Sequence, residues 1–296
     1  MDKPSLTLEQ LRIFVGVAER EHMTRAAEAL NVTQSAASTA ISALEARHGV
    51  KLFHRIGRRI ELTEAGHTFL EEARLVLLSA QNAEHTLSEF TGLTRGTLKL
   101  VASQTIASYW LPPKLAVFHT RYPQVEIDLA IANTEGAVAR VLEGAAELGF
   151  AEGQVDEPAI AVWPIAEDRL RLVAAPDVTA PDEIDEKWLA EASWVVRERG
   201  SGTRSSFEAA LAEQGFDPAR LNISLTLPAN EAVLTSVASG AGVAVLSELV
   251  VACAVASGRL KVLSLPLPAR PYYGLRHKER YRSRAADALL DLIKEL

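Results

Sequence analysis

Residues Thr24 to Glu45 read TRAAEALNVTQSAASTAISALE, and Lys51 to Gly66 read KLFHRIGRRIELTEAG. The first stretch has the form of two short helices around a tight turn. Thr24 is placed to cap a helix over Arg25 to Leu30, and Thr33 to cap another running to about His48. Asn31 falls between them, and asparagine tolerates the left-handed backbone a tight turn requires. Ala26, Ala27 and Ala37 are small where the helices must cross. Leu30, Val32, Ile41 and Leu44 supply an apolar face. The exposed start of the later helix then carries Gln34, Ser35, Ser38 and Thr39, residue types that reach base edges and phosphates. In the second stretch, Arg55, Gly57, Arg58 and Arg59 stand between short alternating runs. That pattern predicts two strands around a glycine turn, a wing whose arginines would lie against phosphates or a minor groove.

Toward the amino terminus, Leu8, Leu11, Phe14, Val15 and Ala18 recur at helical spacing, so LTLEQLRIFVGVAER reads as an amphipathic helix with Thr7 as its N-cap. Toward the carboxyl side, no proline interrupts residues 64–91. Within that span and just before it, Leu62, Gly66, Phe69, Ala73, Val76, Ala80, Ala83, Leu87 and Phe90 alternate at spacings of four and three, as in a coiled-coil seam. The pattern predicts a linker helix that pairs with a second copy of the chain. An amphipathic helix packed on its own domain would show the same spacing.

From residue 92 the pattern becomes strands alternating with helices, which implies parallel βαβ units. The expected organisation is a winged helix-turn-helix DNA-binding domain over 1–63, a linker and dimerisation helix over 64–91, and an α/β domain over 92–296. The net charge of −7 looks unsuited to nucleic acid until the chain is divided. Residues 1–62 hold nine Lys+Arg against seven Asp+Glu, and the remainder holds 22 against 31. The excess of positive charge lies in the helix-turn-helix part, so DNA affinity there rests on a few placed arginines. No apolar run is long enough to span a bilayer and no signal-type segment opens the sequence, which points to the cytoplasm. The single Cys253, in VVACAVASG, reads as an inert core residue.

These stretches closely resemble the LysR-type transcriptional regulators. The amino-terminal likeness runs from Leu6 to about Leu78 through LEQLRIFVGVAE, the AAxxLNVTQSAxS core, ISALE and LFxRxGRRxxLTEAG. LKLVASQTIASYWLPP, HTRYPQVEIDL, VLEGAAELGFAEG, RERGSGTRSSFE and NEAVLTSVASGAGVAVLS carry it across the rest. The GSGTR element is most similar to the branch that includes regulators of cysteine biosynthesis and carbon fixation. The resemblance implies a two-lobed effector-binding domain of the type 2 periplasmic-binding-protein kind. Lobe I would take about 95–165 plus 267–296, and lobe II about 166–266. It also implies a homodimer assembling to a homotetramer, double-stranded promoter DNA, a small-molecule effector and RNA polymerase as partners. No cofactor, metal or catalytic residue is implied. One departure stands out: relatives often carry a basic residue and a glutamine where this chain has Thr39 and Ala40, so base preference cannot be copied from them.

The DNA-binding residues expected are Thr33, Gln34, Ser35, Ser38, Thr39, Arg55, Arg58 and Arg59. In the α/β part, Ser103, Gln104 and Thr105 follow a strand and open a helix, where free N–H groups favour an anion. Gly202 and Thr203, after Ser201, repeat that chemistry about a hundred residues later. Asn133, Thr134 and Asn230 stand at further strand ends and helix starts. Taken singly these are ordinary helix caps; on the family template they line one cleft and hold a small anionic metabolite. Glu152 is expected there too, its charge offset by Arg204. Enzyme chemistry is excluded by the absence of a P-loop, GxGxxG, GxSxG or metal-spaced His/Cys pattern. A solute-binding protein and an architectural DNA binder with a vestigial cleft remain the rival readings.

Overall fold

The computed structural model describes residues 6–56, 59–89 and 96–296, in two compact units, 1–90 and 91–296. In the first unit, α1 spans Leu8–Arg20, α2 Met23–Ala29 and α3 Gln34–His48. Thr7 caps α1 through a reciprocal capping box with Gln10. The second helix is capped by His22, whose Nδ1 accepts from the Arg25 N–H, and not by Thr24. The chain leaves α1 through Glu21 in the left-handed region, so helical geometry resumes two residues earlier than the Thr24 pattern suggests. Asn31 adopts φ 55° at the turn, and Thr33 caps α3 by accepting from Ala36 N. Strands β1 (Phe53–Ile56) and β2 (Arg59–Leu62) pair antiparallel as the wing.

The long helix α4, Glu64–Glu89, explains the seam differently along its length. Its first turns belong to the domain's own core. Phe69 packs 4.8 Å from the Phe14 ring, and Ala73 is buried with Leu11, Val17, Ile41 and Leu44. Gly66 is small for a local reason: a Cβ there would lie 2.2 Å from the Leu52 carbonyl. Further along, Leu75 and Val76 are exposed. The side chains of Leu87 and Phe90 lie outside the described residues.

The wing is tied to α3 by Glu45, which is buried and accepts from Lys51 Nζ at 2.6 Å, Leu52 N at 2.9 Å and Phe53 N at 3.3 Å. Burial alone would raise its pKa. The Lys51 ammonium and the two backbone N–H groups outweigh burial and hold the carboxyl below the usual 4.5.

The second unit is built on a nine-stranded sheet. In chain order it comprises β3 (Gly96–Ser103), α5 (Pro112–Arg121), β4 (Val125–Ala132), α6 (Thr134–Glu143), β5 (Leu148–Glu152) and the long β6 (Ile160–Ala174). These are followed by α7 (Glu186–Glu191), β7 (Ser193–Arg197), α8 (Gly202–Glu213), β8 (Asn222–Leu227), α9 (Asn230–Ala238), β9 (Val243–Ser247) and α10 (Glu248–Ala256). Strand β10 (Lys261–Leu263), β11 (Ala269–His277) and α11 (Arg284–Glu295) complete it. A π-helical turn, Ile106–Trp110, separates β3 from α5.

The strand order is β4–β3–β5–β11–β6–β9–β7–β8, with β10 beside β6. Parallel triads, β4–β3–β5 and β8–β7–β9, flank the antiparallel pair β6 and β11. One apolar core gathers Leu98, Leu100, Phe118, Phe150 and Leu289 under the first triad; another gathers Leu172, Trp194, Phe207 and Val245 under the second. The two lobes are therefore joined by β6 and β11. Cys253 is exposed, not buried. The buried face of α10 is made by Val250, Val251 and Ala254, which turns Cys253 outward and overrides the apolar composition of its surroundings. Among the described residues no helix is long and apolar enough to cross a membrane.

Two outcomes follow from unit 1. Gly66→Ala should destabilise the helix-turn-helix unit by about 1–3 kcal/mol through overpacking against backbone, read by chemical denaturation. Glu45→Gln should lower stability at neutral pH and remove a pH dependence. Because the folded carboxyl titrates below 4.5, its contribution is complete above that value and lost as pH falls through the lower folded pKa. The curves of wild type and variant should converge on acidification; parallel curves would count against this role for Glu45.

Candidate DNA interface and effector cleft

At the start of α3, Gln34, Ser35 and Thr39 are exposed and Ser38 is half-buried. Thr33, also exposed, uses its hydroxyl for the cap and lies 3.0 Å from Ser35 Oγ. Ala37, Ile41 and Leu44 anchor the opposite face, so the polar positions project from a fixed helix. Arg55 and Arg59 belong to the wing strands, with Arg55 opposite Ile60 and Arg59 opposite Ile56. Arg58 and Gly57 lie outside the described residues, as do the side chains of Arg55 and Arg59.

The nine cleft residues expected from sequence meet at one seam between the lobes. From lobe I, Gln104 accepts from Asn230 N at 2.7 Å and donates to Glu231 at 2.8 Å. Thr105 accepts from Asn230 Nδ2 at 3.0 Å, and Tyr109 donates to Glu231 at 3.1 Å. Asn133 caps α6, accepting from Gly136 N at 2.8 Å, and reaches Glu198 at 3.3 Å. The Glu135 N–H donates to the Gly200 carbonyl. Thr134 donates to the Glu152 carbonyl at 2.7 Å, and Gly202 packs on that same carbonyl, where a Cβ would approach within 1.9 Å. The lobes are closed on each other at this point.

At the centre, the Glu152 carboxylate is 2% exposed. It accepts from Ser103 Oγ, and Thr203 Oγ1 lies at 3.5 Å. Its cation is Arg270 at 3.8 Å, not Arg204. Arg204 instead binds Glu208 at 2.7 Å, one turn along its own helix, and donates to the Arg197 carbonyl. The local i,i+4 partner wins over a distant one. Arg270 holds Asp168 through Nε at 2.9 Å and Nη2 at 2.7 Å, and donates to Thr203 Oγ1 at 3.1 Å. Asp168 also accepts from Ser247 at 2.8 Å. Beside them the buried Tyr272 hydroxyl makes no hydrogen bond to Glu152, Asp168 or Arg270. Burial, followed by the charges of Asp168 and Glu152, pushes its pKa up against the opposing effect of Arg270.

Sequence reasoning missed Arg270, Asp168, Arg197 and Glu231. Arg197 is buried and donates to Asn230 Oδ1 at 2.5 Å, with Glu198 at 2.9 Å beside it. Arg197 alone carried a signal, as a charge ending the apolar strand SWVVR; Asp168 is hidden among Glu167, Arg169 and Arg171 of its own strand, and Glu231 is an exposed helix residue. A cavity of about 600 Å³ opens beside the seam, lined by Glu135 of lobe I and by Arg199, Ser201, Arg204 and Ser205 of lobe II. Among the described residues no group of His, Cys, Asp and Glu is arranged to hold a metal.

Comparison with known proteins accounts for both units. Residues 8–67 match the model of the bacterial regulatory helix-turn-helix protein, lysR family, and residues 91–296 match the LysR substrate binding domain. The HTH-type transcriptional regulator YeiE of Escherichia coli K12, described as uncharacterized, is 32% identical over 97% of this chain and 96% of its own. The regulator CysL of Bacillus subtilis 168 is 32% identical over 81% of this chain and 80% of its own. In fold, the chain is similar to full-length CbnR crystallised with its target DNA (TM-score 0.70, 23% identity, covering 98% of this chain and 99% of that one). The chain therefore belongs to the LysR-type transcriptional regulators, which join a helix-turn-helix domain to an effector-binding domain and are not enzymes.

Proposed function

We propose that this regulator binds promoter DNA as a dimer through α3 and the wing, in the cytoplasm, under the control of a small anion at the interlobe seam. The observation that carries the effector reading is the convergence of Ser103, Thr203 and Arg270 on one carboxylate, beside the start of α8. Two hydroxyls, a guanidinium and a helix N-terminus favour negative charge together. That the occupant is the chain's own Glu152 is consistent with the cradle accepting a carboxylate of this size.

The dimer reading rests on α4. Beyond the turns that pack on the domain core, it exposes Leu75 and Val76, and one weakly charged head is a poor match for the salt-sensitive DNA backbone. Two copies joined along this helix would read an interrupted palindrome. Pairing of dimers into a homotetramer and contact with RNA polymerase complete the proposal on the strength of family membership. An effector changes the output only through its differential affinity for two arrangements of the assembly. The residues proposed for DNA are Thr33, Gln34, Ser35, Ser38, Thr39, Arg55, Arg58 and Arg59. Those proposed to form the effector site are Ser103, Gln104, Thr105, Asn133, Thr134, Gly202, Thr203 and Asn230, with Glu152 as the group that occupies it in this structure.

Titration of carboxylates, phosphate esters and sulfur oxyanions against a labelled promoter fragment should change the footprint for one class; a footprint and melting temperature indifferent to all of them would refute the sensor. Ser35→Ala with Ser38→Ala should weaken operator binding by about 0.5–1.5 kcal/mol for each hydrogen bond to a base edge that is removed, with non-specific affinity little changed. Gly202→Ala, which forces α8 off the Glu152 carbonyl, should abolish the effector response while leaving operator affinity intact. Retention of the full response would show that this close approach is dispensable.

A further inference from the structure

The seam contains two buried carboxylates, Glu152 and Asp168, facing one guanidinium, Arg270. They are not held alike. Asp168 takes two short bonds from Arg270 and a third from Ser247, whereas Glu152 stands 3.8 Å from Arg270 and is held by the hydroxyls of Ser103 and Thr203. The Glu152 backbone is fixed between Thr134, Gly202 and the register partner Tyr272. Its backbone is thus fixed in the strand, while its carboxylate is held by side chains alone.

Resting on the reading of the seam as an effector site, we propose that Glu152 is a tethered ligand. Its carboxylate fills the subsite of the effector anion, and the effector binds by displacing it from Ser103 and Thr203. Charge decides between exchange and addition. A second anion added beside Glu152 would set three negative groups around one guanidinium in a buried site, where like charges interact strongly. Exchange with a singly charged anion leaves the charge facing Arg270 unchanged, and exchange with a doubly charged one adds one negative charge where addition would bring two. The Tyr272 hydroxyl, itself fully buried, makes no hydrogen bond to Glu152. The ligand class is thus a small oxyanion with at least two oxygens, either a carboxylate or a tetrahedral oxyanion.

The tether sets a threshold. A group on a short arm competes at an effective concentration on the order of millimolar. The seam therefore stays closed at low effector and responds only when the free anion outcompetes the arm.

The test uses the full chain as wild type, Glu152→Ala and Glu152→Gln. Sodium sulfate and sodium acetate are titrated at constant ionic strength, with chloride as control, and read by thermal shift and calorimetry. The half-saturating concentration in Glu152→Ala should fall at least tenfold below wild type, with Glu152→Gln between them. Sulfate outperforming acetate would identify the tetrahedral class, and the reverse the carboxylate class. Equal or weaker binding by Glu152→Ala overturns the proposal, because Glu152 would then be a bystander or would itself touch the ligand. If that variant melts without cooperativity, sulfate should restore a cooperative transition, and failure to restore it is equally fatal. Tight anion binding by Glu152→Ala with an unresponsive footprint would leave the exchange standing and remove the regulatory reading. A wild-type footprint that responds to a metabolite, without any gain in the variant, would do the opposite.

Discussion

The α/β unit depends on one pair of side chains, Arg270 and Asp168, which are register partners on the two strands that join the lobes. Removing two charges from water costs several kcal/mol per ion, repaid only when geometry and accessory hydrogen bonds are nearly complete. Here Nε and Nη2 of the guanidinium converge on Oδ2 of Asp168 and Nη1 donates to Thr203, while Oδ1 of Asp168 takes Ser247. Every added bond comes from a different strand or helix. Satisfying the pair therefore fixes β6, β9, β11 and α8 relative to each other, and Glu152 extends that constraint to β5 and, through Ser103, to β3.

Outside this centre the interlobe contacts are mixed: Gln104 and Tyr109 donate to the Glu231 carboxylate and Asn133 to Glu198, beside bonds between neutral groups. Gln104, Thr105 and Asn230 exchange neutral hydrogen bonds, and Gly200 and Gly202 allow backbone to meet side chain and backbone directly. Neutral bonds of this type contribute about 0.5–1.5 kcal/mol each. They are suited to a seam that opens, whereas the Arg270 pair is suited to the strands that must not separate.

The helix-turn-helix unit is largely legible in the sequence because its signals are local. Caps such as Thr7 and Thr33, the left-handed Asn31 and the alanine crossings all act within a few residues. The cap of the second helix is not, because Thr24 and His22 are both able to cap, and where α1 ends decides between them. Ser103, Thr105, Thr134 and Thr203 are legible in the α/β unit because strand ends and helix starts are recognisable places. Arg270 and Asp168 are not, since their partnership spans about a hundred residues and exists only through strand pairing. The expectation that Arg204 neutralises Glu152 fails for the same reason. Sequence proximity offers one cation, and topology supplies another. Cys253 shows the converse error, in which apolar composition outweighs the geometry of a single helix face.

The crossing strands carry one more consequence. Because Asp168 and Arg270 stand opposite each other in an antiparallel ladder, the chain enters lobe II and leaves it through points about 5 Å apart. Lobe II is in effect an insertion in a loop of lobe I, closed at its base by its own ion pair. Such an insert can drift, lengthen or be exchanged between relatives without breaking the β4–β3–β5 core, provided the residues at its neck are kept. Ligand preference can therefore change through half of the cleft while the half connected to the DNA-binding unit stays the same.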